Sequence, residues 1–207
     1  MKPILYTHKL IAAMLAAALL LQGCAAVVVG AAAGTVHDRR ATSAVVSDRN
    51  ISLTAYDTIN RDKELVRNDN SVKVVVYGGV MLLCGQVRSE ELKHRAQSHV
   101  EVINGVRRIV NDLQVTEEPE GFWRRREDNT ITARVKTAML NITSLPGFDP
   151  LRVNVTTSHH IVYLMGFVSH EEADAAIEVA RNTGSVEKVV NVFEYVETEA
   201  APAPTAP

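Results

Sequence analysis

The residues most able to do chemistry in this chain are its two cysteines, a His-His pair and two Glu-Glu pairs. A thiol can act as a nucleophile or take a lipid, paired imidazoles can contribute to a metal site, and paired carboxylates can exchange protons. The residues are Cys24, Cys84, His159-His160, Glu90-Glu91 and Glu171-Glu172. In each case the neighbouring sequence decides between a chemical and a structural role.

Cys24 ends a block that predicts export and acylation. Lys2 and Lys9 precede an apolar stretch, and Leu20-Leu21-Gln22-Gly23-Cys24 follows it. Residues 10–36 carry no Asp, Glu, Lys or Arg and are long enough to span a bilayer. However, a positive start, an apolar stretch and a small residue before the cut are the layout of a secretory signal. The block resembles the bacterial lipobox, so we predict a signal peptide over 1–23 and lipidation, with palmitate among the acyl chains, at Cys24.

The lipobox resemblance also implies where the mature protein resides. Bacterial lipoproteins carry three acyl chains, and several chains hold a protein durably where one holds it only marginally. In enterobacterial lipoproteins an Asp after the cysteine favours inner-membrane retention, but Ala25 occupies that position here. The resemblance therefore implies a lipid-anchored protein of the outer membrane that faces the periplasm.

The composition of the mature chain limits which functional classes the protein can belong to. Residues 1–23 hold two Lys and no acid, so the mature chain retains 20 basic and 24 acidic residues of the 22 and 24 in the full chain. This balance argues against a strongly basic nucleic-acid-binding protein. Once Cys24 carries lipid, Cys84 has no partner for an intramolecular disulfide.

Beyond the signal, the chain contains an internal repeat. The segment VKVVVYGGVMLLCGQVRSEE, residues 72–91, matches VNVTTSHHIVYLMGFVSHEE, residues 153–172. Gly85 and Gly166 lie 81 residues apart, and Asn111 and Asn191 lie 80 apart. Such self-similarity indicates two duplicated units.

Each unit predicts the order helix, strand, strand, helix, strand. Ile131, Val135 and Met139 form a helical stripe, and the valines from Val72 to Val76 alternate as in a strand. Tyr77-Gly78-Gly79 is typical of a hairpin turn. Ser169 with Glu172 forms a capping box at the second helix of its unit, and Asn104-Gly105 and Thr183-Gly184 are predicted to end these second helices. The predicted fold class is α+β, with two tandem domains that each contain a three-stranded mixed sheet and two helices.

This unit, with a glycine ending its second strand, resembles the BON domain. Two such units behind a lipobox are similar to the dual BON-domain outer-membrane lipoproteins of Gram-negative bacteria. The predicted boundaries are 1–23 for the signal peptide, 24–46 for the acylated N-terminus and linker, 47–115 for BON domain 1, 116–127 for a linker, 128–196 for BON domain 2 and 197–207 for a disordered Ala/Pro tail.

The sequence contains none of the catalytic motifs Gly-x-Ser-x-Gly, His-Glu-x-x-His or Gly-x-Gly-x-x-Gly. Cys84 corresponds to Met165 in the repeat, which indicates a core position. His159-His160 are interpreted as exposed turn residues, and the Glu pairs as helix-start residues that favour the dipole. We therefore predict a non-enzymatic protein with no catalytic residue, no metal site and no cofactor.

One helix face in the second unit is basic. Opposite the Ile131 stripe lie two cations, Arg134 and Lys136, with an outward Leu140 and no acid, and FWRRR precedes the helix at residues 122–126. The corresponding helix of the first unit carries Asp57 on its outer side, with Asp62 and Glu64 expected just beyond it. Because both helices serve the same fold, this difference in charge needs a separate cause.

In the dual BON-domain lipoproteins, the second domain binds anionic phospholipid, chiefly phosphatidylglycerol, through this helix and adjoining loops. The resemblance therefore implies the same role here, although Thr130 stands where those relatives carry Trp. Trp123 either substitutes for that Trp or packs in the linker. The predicted lipid-binding residues are Trp123, Arg126, Thr130, Ala133, Arg134, Lys136, Thr137, Leu140 and Asn141.

Two alternatives remain open. The basic face is a solvated surface if its arginines pair with Glu127 and Asp128. Alternatively, the protein is a periplasmic interaction module that assists outer-membrane protein assembly or the envelope stress response, with partner strands adding to a sheet edge. The resemblance favours phospholipid binding and support of envelope integrity.

Overall fold

The computed structural model describes residues 39–67, 70–117 and 122–196, and the helix–strand–strand–helix–strand order occurs twice. The predicted α+β fold is therefore confirmed. The first domain contains α1 (Thr42–Asn60), β1 (Ser71–Tyr77), β2 (Val80–Val87), α2 (Glu90–Glu101) and β3 (Arg108–Val115). The second contains α3 (Phe122–Met139), β4 (Asn154–Ser158), β5 (Ile161–Met165), β6 (Phe167–Val168), α4 (His170–Arg181), β7 (Lys188–Asn191) and β8 (Glu194–Tyr195), with a short 3-10 helix at Pro150–Arg152.

Both sheets are mixed. β2 pairs antiparallel with β1 and parallel with β3, and β5 pairs in the same way with β4 and β7. In the second domain the last strand is interrupted, so that β6 and β8 continue the parallel ladder separately. Gly85 and Gly166 are required by close backbone approach, since an added Cβ would lie 1.7 Å from the Ser71 carbonyl oxygen and 2.4 Å from that of Arg152.

Each domain has its own core between its helices and one face of its sheet. In the first domain Ile51, Ala55 and Ile59 of α1 pack with strand residues such as Val74 and Leu83. In the second, the predicted Ile131 stripe of α3 is buried against the corresponding strands. Burial of such apolar side chains is the main stabilising contribution to each domain.

A third core joins the two sheets. The faces turned away from the helices meet through Leu82 and Cys84 of one domain and Tyr163 and Met165 of the other. The layers therefore run helices, sheet, sheet, helices. The predicted core role of Cys84 is confirmed, since it is fully buried and burial raises the pKa of its thiol to about 12.

Polar contacts surround this shared core. The Tyr163 hydroxyl donates to Asp112 at 2.9 Å, and Lys73 Nζ donates to the Thr157 carbonyl at 2.8 Å. Arg39, just before α1, reaches the second domain and pairs with Glu172 at 2.6 Å. These contacts and the shared core hold the two domains against each other.

Some helix limits differ from the sequence expectations. α1 and α3 begin at Thr42 and Phe122, within the segments 24–46 and 116–127 that the sequence predicts to be linkers. α2 and α4 end before the predicted Asn104-Gly105 and Thr183-Gly184 stops. The left-handed residue after α2 is Gly105, but after α4 it is Ser185, because the helices align at an offset of 80 residues.

Candidate functional site

The outer face of α3 is exposed, as its periodicity predicts. Ile131, Val135 and Met139 recur every four residues on the buried side, and the predicted lipid-binding residues lie away from them. Leu140 and Asn141 directly follow the last helical residue. The exposed members are Arg126, Thr130, Ala133, Arg134, Lys136, Thr137, Leu140 and Asn141. Trp123 lies in the first turn of α3 but its side chain is outside the described part, and Cys24 lies outside the described residues altogether.

Two cations of this face, Arg134 and Lys136, carry the positive charge that an external partner could meet. Within the described ranges, neither Arg134 nor Lys136 has an ion-pair partner. The Thr130 hydroxyl donates to the Arg126 carbonyl at 3.1 Å, so this side chain is satisfied by its own helix. Leu140 is 67% exposed. The face therefore presents two positive charges beside one apolar side chain.

The matching face of α1 has a different character. At the positions of Arg134, Lys136 and Thr137, α1 carries Thr54, Tyr56 and Asp57. Asp57 pairs with Arg61 at 2.7 Å in an exposed i,i+4 contact. Since α1 and α3 bury equivalent stripes, the cations of α3 are not a requirement of the fold.

Asp128 is buried and binds a hairpin turn, so its carboxylate is not on the exposed face of α3. Its side chain is 1% exposed and accepts the backbone N–H groups of His159 and His160, each at 3.1 Å. Asp48 binds the first hairpin in the same way, from Gly78 and Gly79 at 2.6 and 2.8 Å. Each carboxylate thus ties the start of a helix to a β-hairpin turn.

His160 is buried and His159 is half-buried, so the expectation that both turn histidines are exposed is wrong. His160 is 8% exposed, and its ring nitrogens lie 3.2 Å from Glu127 and 3.3 Å from Glu187. His159 and His160 adopt φ values of 51° and 62°, the left-handed conformation that Gly78 and Gly79 take in the first domain. The two histidines therefore keep the turn geometry of the glycines, and Asp128 holds their backbone N–H groups.

Glu172 has the capping role that the sequence predicts and a second role that it does not. It closes the capping box with Ser169. Arg39 and Arg152 also contact its carboxylate, at 2.6 and 2.9 Å. Burial alone would raise the pKa of Glu172, but the Ser169 N–H and the two arginines outweigh it and lower this pKa.

Asp62 was expected beside the outer face of α1, and this placement is wrong. Its side chain is 3% exposed and accepts hydrogen bonds from Arg95 and His99 at 2.5 and 2.7 Å. The chain turns inward after α1, which brings the carboxylate against α2. No local sequence signal marks this contact, since α1 and α2 meet only in the tertiary structure.

The two aspartates that bind the hairpin turns, unlike Asp62, can be recognised from the sequence repeat. Asp48 and Asp128 lie 80 residues apart, the offset of the rest of the repeat.

In the part of the chain that the structure describes, no helix is long and apolar enough to cross a bilayer. The His, Cys, Asp and Glu side chains of those same residues form no group of three placed to hold a metal ion.

Comparison with known families agrees with this architecture. A family model described as the BON domain matches residues 47–117 and 127–197. The chain belongs to the BON-domain family. The inferred resemblance to two tandem BON domains is thereby confirmed, and the Asp48 and Asp128 contacts are a feature of both BON domains in this chain.

Two relatives match across most of the chain. It is 30% identical to the outer membrane lipoprotein DolP of Haemophilus influenzae, over 91% of this chain and 97% of the relative. It is 31% identical to the 21 kDa hemolysin of Actinobacillus pleuropneumoniae, over 77% and 80% of the two chains. A solved structure of CdsD, a structural protein of the type III secretion system of Chlamydia trachomatis, aligns over 72% of this chain and 94% of its own, at 10% identity and a TM-score of 0.28.

Proposed function

We propose that this BON-domain protein is a non-enzymatic outer-membrane lipoprotein, anchored through acylated Cys24 and facing the periplasm. It binds anionic phospholipid of the phosphatidylglycerol type through α3 of the second domain and supports envelope integrity. The observation that carries the lipid-binding proposal is the pair of exposed cations Arg134 and Lys136 beside Leu140, which have no ion-pair partner among the described residues. The relation to the outer membrane lipoprotein DolP supports the location.

The free energies expected from the exposed side chains of α3 are those of a reversible membrane contact. A cation near an anionic membrane surface contributes about 1 kcal/mol, so Arg134 and Lys136 together contribute about 2 kcal/mol. Leu140 adds apolar burial at the headgroup level. This is weak for a free protein, but an acyl anchor holds α3 close to the bilayer and raises its effective concentration there.

The alternative of strand addition is less favoured at one edge of each sheet. The Asn111 side chain accepts the backbone N–H of Leu113 on the outer strand β3, at 3.3 Å. Asn191 does the same for Phe193 after β7, at 2.9 Å. An incoming strand would have to displace these bonds, which is one way that proteins protect sheet edges. This duplicated feature favours the phospholipid proposal over the interaction module at those edges.

Charge reversal tests the membrane contact. In a soluble chain that starts after Cys24, Arg134→Glu with Lys136→Glu should abolish most flotation on phosphatidylglycerol-rich vesicles, because two attractions become repulsions. Flotation of the unmodified chain should fall with added salt. Arg49→Glu with Arg108→Glu is the matched control, since these are exposed cations of the first domain. Equal flotation of the double reversal and the unmodified chain would contradict lipid binding by α3 and favour the protein-interaction module.

The anchor requires a separate test in cells. Cys24→Ser removes the thiol that the lipobox acylates, so labelling with a palmitate analogue should be lost and the precursor should remain uncleaved. Cys84→Ser, at the buried cysteine, is the control and should leave labelling unchanged. Unchanged labelling of the Cys24 variant would show that the lipobox interpretation is wrong.

A further inference from the structure

The first domain contains a charged cleft that the membrane contact does not use. It has a volume of about 570 Å³ and lies where α1 ends, between the following loop and α2. Four of its lining side chains are basic or can become so, and two are acidic. They are Arg61, Lys63, Arg95, His99, Asp62 and Glu64, with Thr58 completing the lining.

Asp62 organises the basic side chains of this cleft. Its buried carboxylate accepts from Arg95 Nε at 2.5 Å, from His99 Nε2 at 2.7 Å and from the Glu64 backbone N–H at 3.0 Å. Arg95 contacts Asp62 through Nε, and its two terminal nitrogens have no partner among the described residues. The side chain is 46% exposed, so a fixed pair of N–H donors is presented at the cleft.

The acids near the cleft are already engaged. Asp57 pairs with Arg61 at 2.7 Å and Glu64 pairs with Arg67 at 3.6 Å. Lys63 has no ion-pair partner within residues 39–67, 70–117 and 122–196. Lys63 and the outer edge of Arg95 are therefore among the donors that remain at the cleft, and both favour a ligand that accepts hydrogen bonds and carries negative charge.

The second domain shows that the fold does not require this cluster. The helices align at an offset of 80 residues, which places Ile142, Ala175 and Val179 at the positions of Asp62, Arg95 and His99. Ile142 and Val179 pack against the second-domain core. A buried ion cluster is often no more stable than apolar packing of similar volume, because its charges must be desolvated. Its presence in one copy alone therefore points to a role other than folding.

We propose that the cleft formed by Lys63, Arg95 and His99 binds a phosphate oxyanion. Lys63 and the terminal nitrogens of Arg95 contact the ligand, and Asp62 is a positioning residue that orients Arg95 and His99. The planar guanidinium matches two phosphate oxygens, and the ammonium of Lys63 adds a point charge. The ligand is either a free phosphate or the phosphate of a lipid headgroup. This site is independent of the α3 surface.

Titration with inorganic phosphate tests the site. In residues 24–207 with Cys24→Ser, amide NMR signals of residues 62–64 and 95–99 should shift and saturate with phosphate, relative to chloride at equal ionic strength. Lys63→Glu should raise the apparent Kd about tenfold, and its exposed position keeps the fold intact. Arg108→Glu makes the same charge change in the first domain outside the cleft and should leave the Kd within about twofold. Arg95→Lys keeps the charge but loses the two-donor edge, so it should also weaken binding.

Vesicles distinguish the two sources of phosphate. In the chain with Arg134→Glu and Lys136→Glu, a further loss of flotation on phosphatidylglycerol vesicles with Lys63→Glu identifies a headgroup. Unchanged flotation with a saturable phosphate titration identifies free phosphate. The proposal is overturned if neither response occurs, or if the shifts are insensitive to Lys63→Glu. An unmodified chain that never floats but still binds phosphate would refute the α3 proposal alone.

Discussion

At the scale of single residues, buried aspartates make the contacts that local sequence patterns do not predict. Asp48 and Asp128 each accept two backbone N–H groups of a hairpin turn. Asp62 instead binds two side chains of α2. A buried carboxylate is tolerated only when hydrogen bonds replace its lost hydration. Each aspartate therefore fixes a junction between elements that are distant in sequence.

Asp62 should make stability depend on pH in the acid range. Burial alone would raise the pKa of Asp62, but the bonds from His99 and Arg95 outweigh it and lower this pKa from 3.8 to about 2. Because the folded-state pKa is depressed, the contribution is complete above the unfolded value and is lost as pH falls from about 4 towards 2. The contribution of this carboxylate amounts to about 2 kcal/mol.

Chemical denaturation at several pH values measures this effect. Asp62→Asn should have a lower free energy of unfolding than the unmodified chain at pH 6, and the difference should shrink as pH falls below about 4. Asp57→Asn, at the exposed pair with Arg61, is the control and should change stability by at most about 0.5 kcal/mol. A difference that does not vary with pH would contradict the role assigned to the Asp62 carboxylate.

At the scale of elements, α1 and α3 show how one fold presents two surfaces. Their buried stripes are equivalent, with Ile51 at the position of Ile131 and Ile59 at that of Met139. Their outer faces are free to differ, since exposed positions contribute little to stability. Arg134 and Lys136 therefore reflect an external partner more than the requirements of packing.

Leu140→Ser should separate the apolar part of the α3 contact from its charged part. We expect flotation of the soluble chain on phosphatidylglycerol-rich vesicles to weaken about threefold. The substitution removes an apolar side chain that becomes partly buried only when α3 contacts the membrane. Unlike the effect of reversing Arg134 and Lys136, this loss should persist at high salt. Leu53→Ser, which changes a similarly exposed leucine of α1 (60%), should have no effect. A loss that disappears with salt would mean that Leu140 does not enter the membrane.

At the scale of the whole molecule, the shared core makes the two domains one body. Leu82 and Cys84 pack against Tyr163 and Met165, which correspond to them in the repeat. The Tyr163 hydroxyl remains in this interface and donates to Asp112, and burial raises the pKa of Tyr163. Because each domain covers apolar surface of the other, neither retains all of its burial alone.

Unfolding should therefore be a single transition. Met165→Ala removes a fully buried side chain from the shared core and should lower the free energy of unfolding by about 2–4 kcal/mol, with signals from both domains moving together. Thr137→Ala on the exposed α3 face is the control and should shift stability by at most about 0.5 kcal/mol. Two separate transitions, with only the second-domain signals displaced, would show that the domains unfold independently.

The sequence by itself determined the order of elements, because helix and strand periodicity and turn glycines act over a few residues. The repeat strengthened each inference, as Ile131 and Ser169 have counterparts in Ile51 and Ser89. The sequence also determined which side of α3 is exposed, because the exposed side lies opposite the buried Ile131 stripe. Every α3 residue predicted on that face whose burial is described is exposed.

Only the tertiary structure decided which sheet faces meet and which charges are buried. The alternation of Val80, Leu82 and Cys84 predicts an apolar face, but periodicity cannot say that this face covers a second domain. In the same way, no short-range pattern distinguishes Asp62, which is buried, from Asp57, which is exposed. Long-range packing sets the burial of a charge, and it depends on contacts between elements that local sequence does not encode.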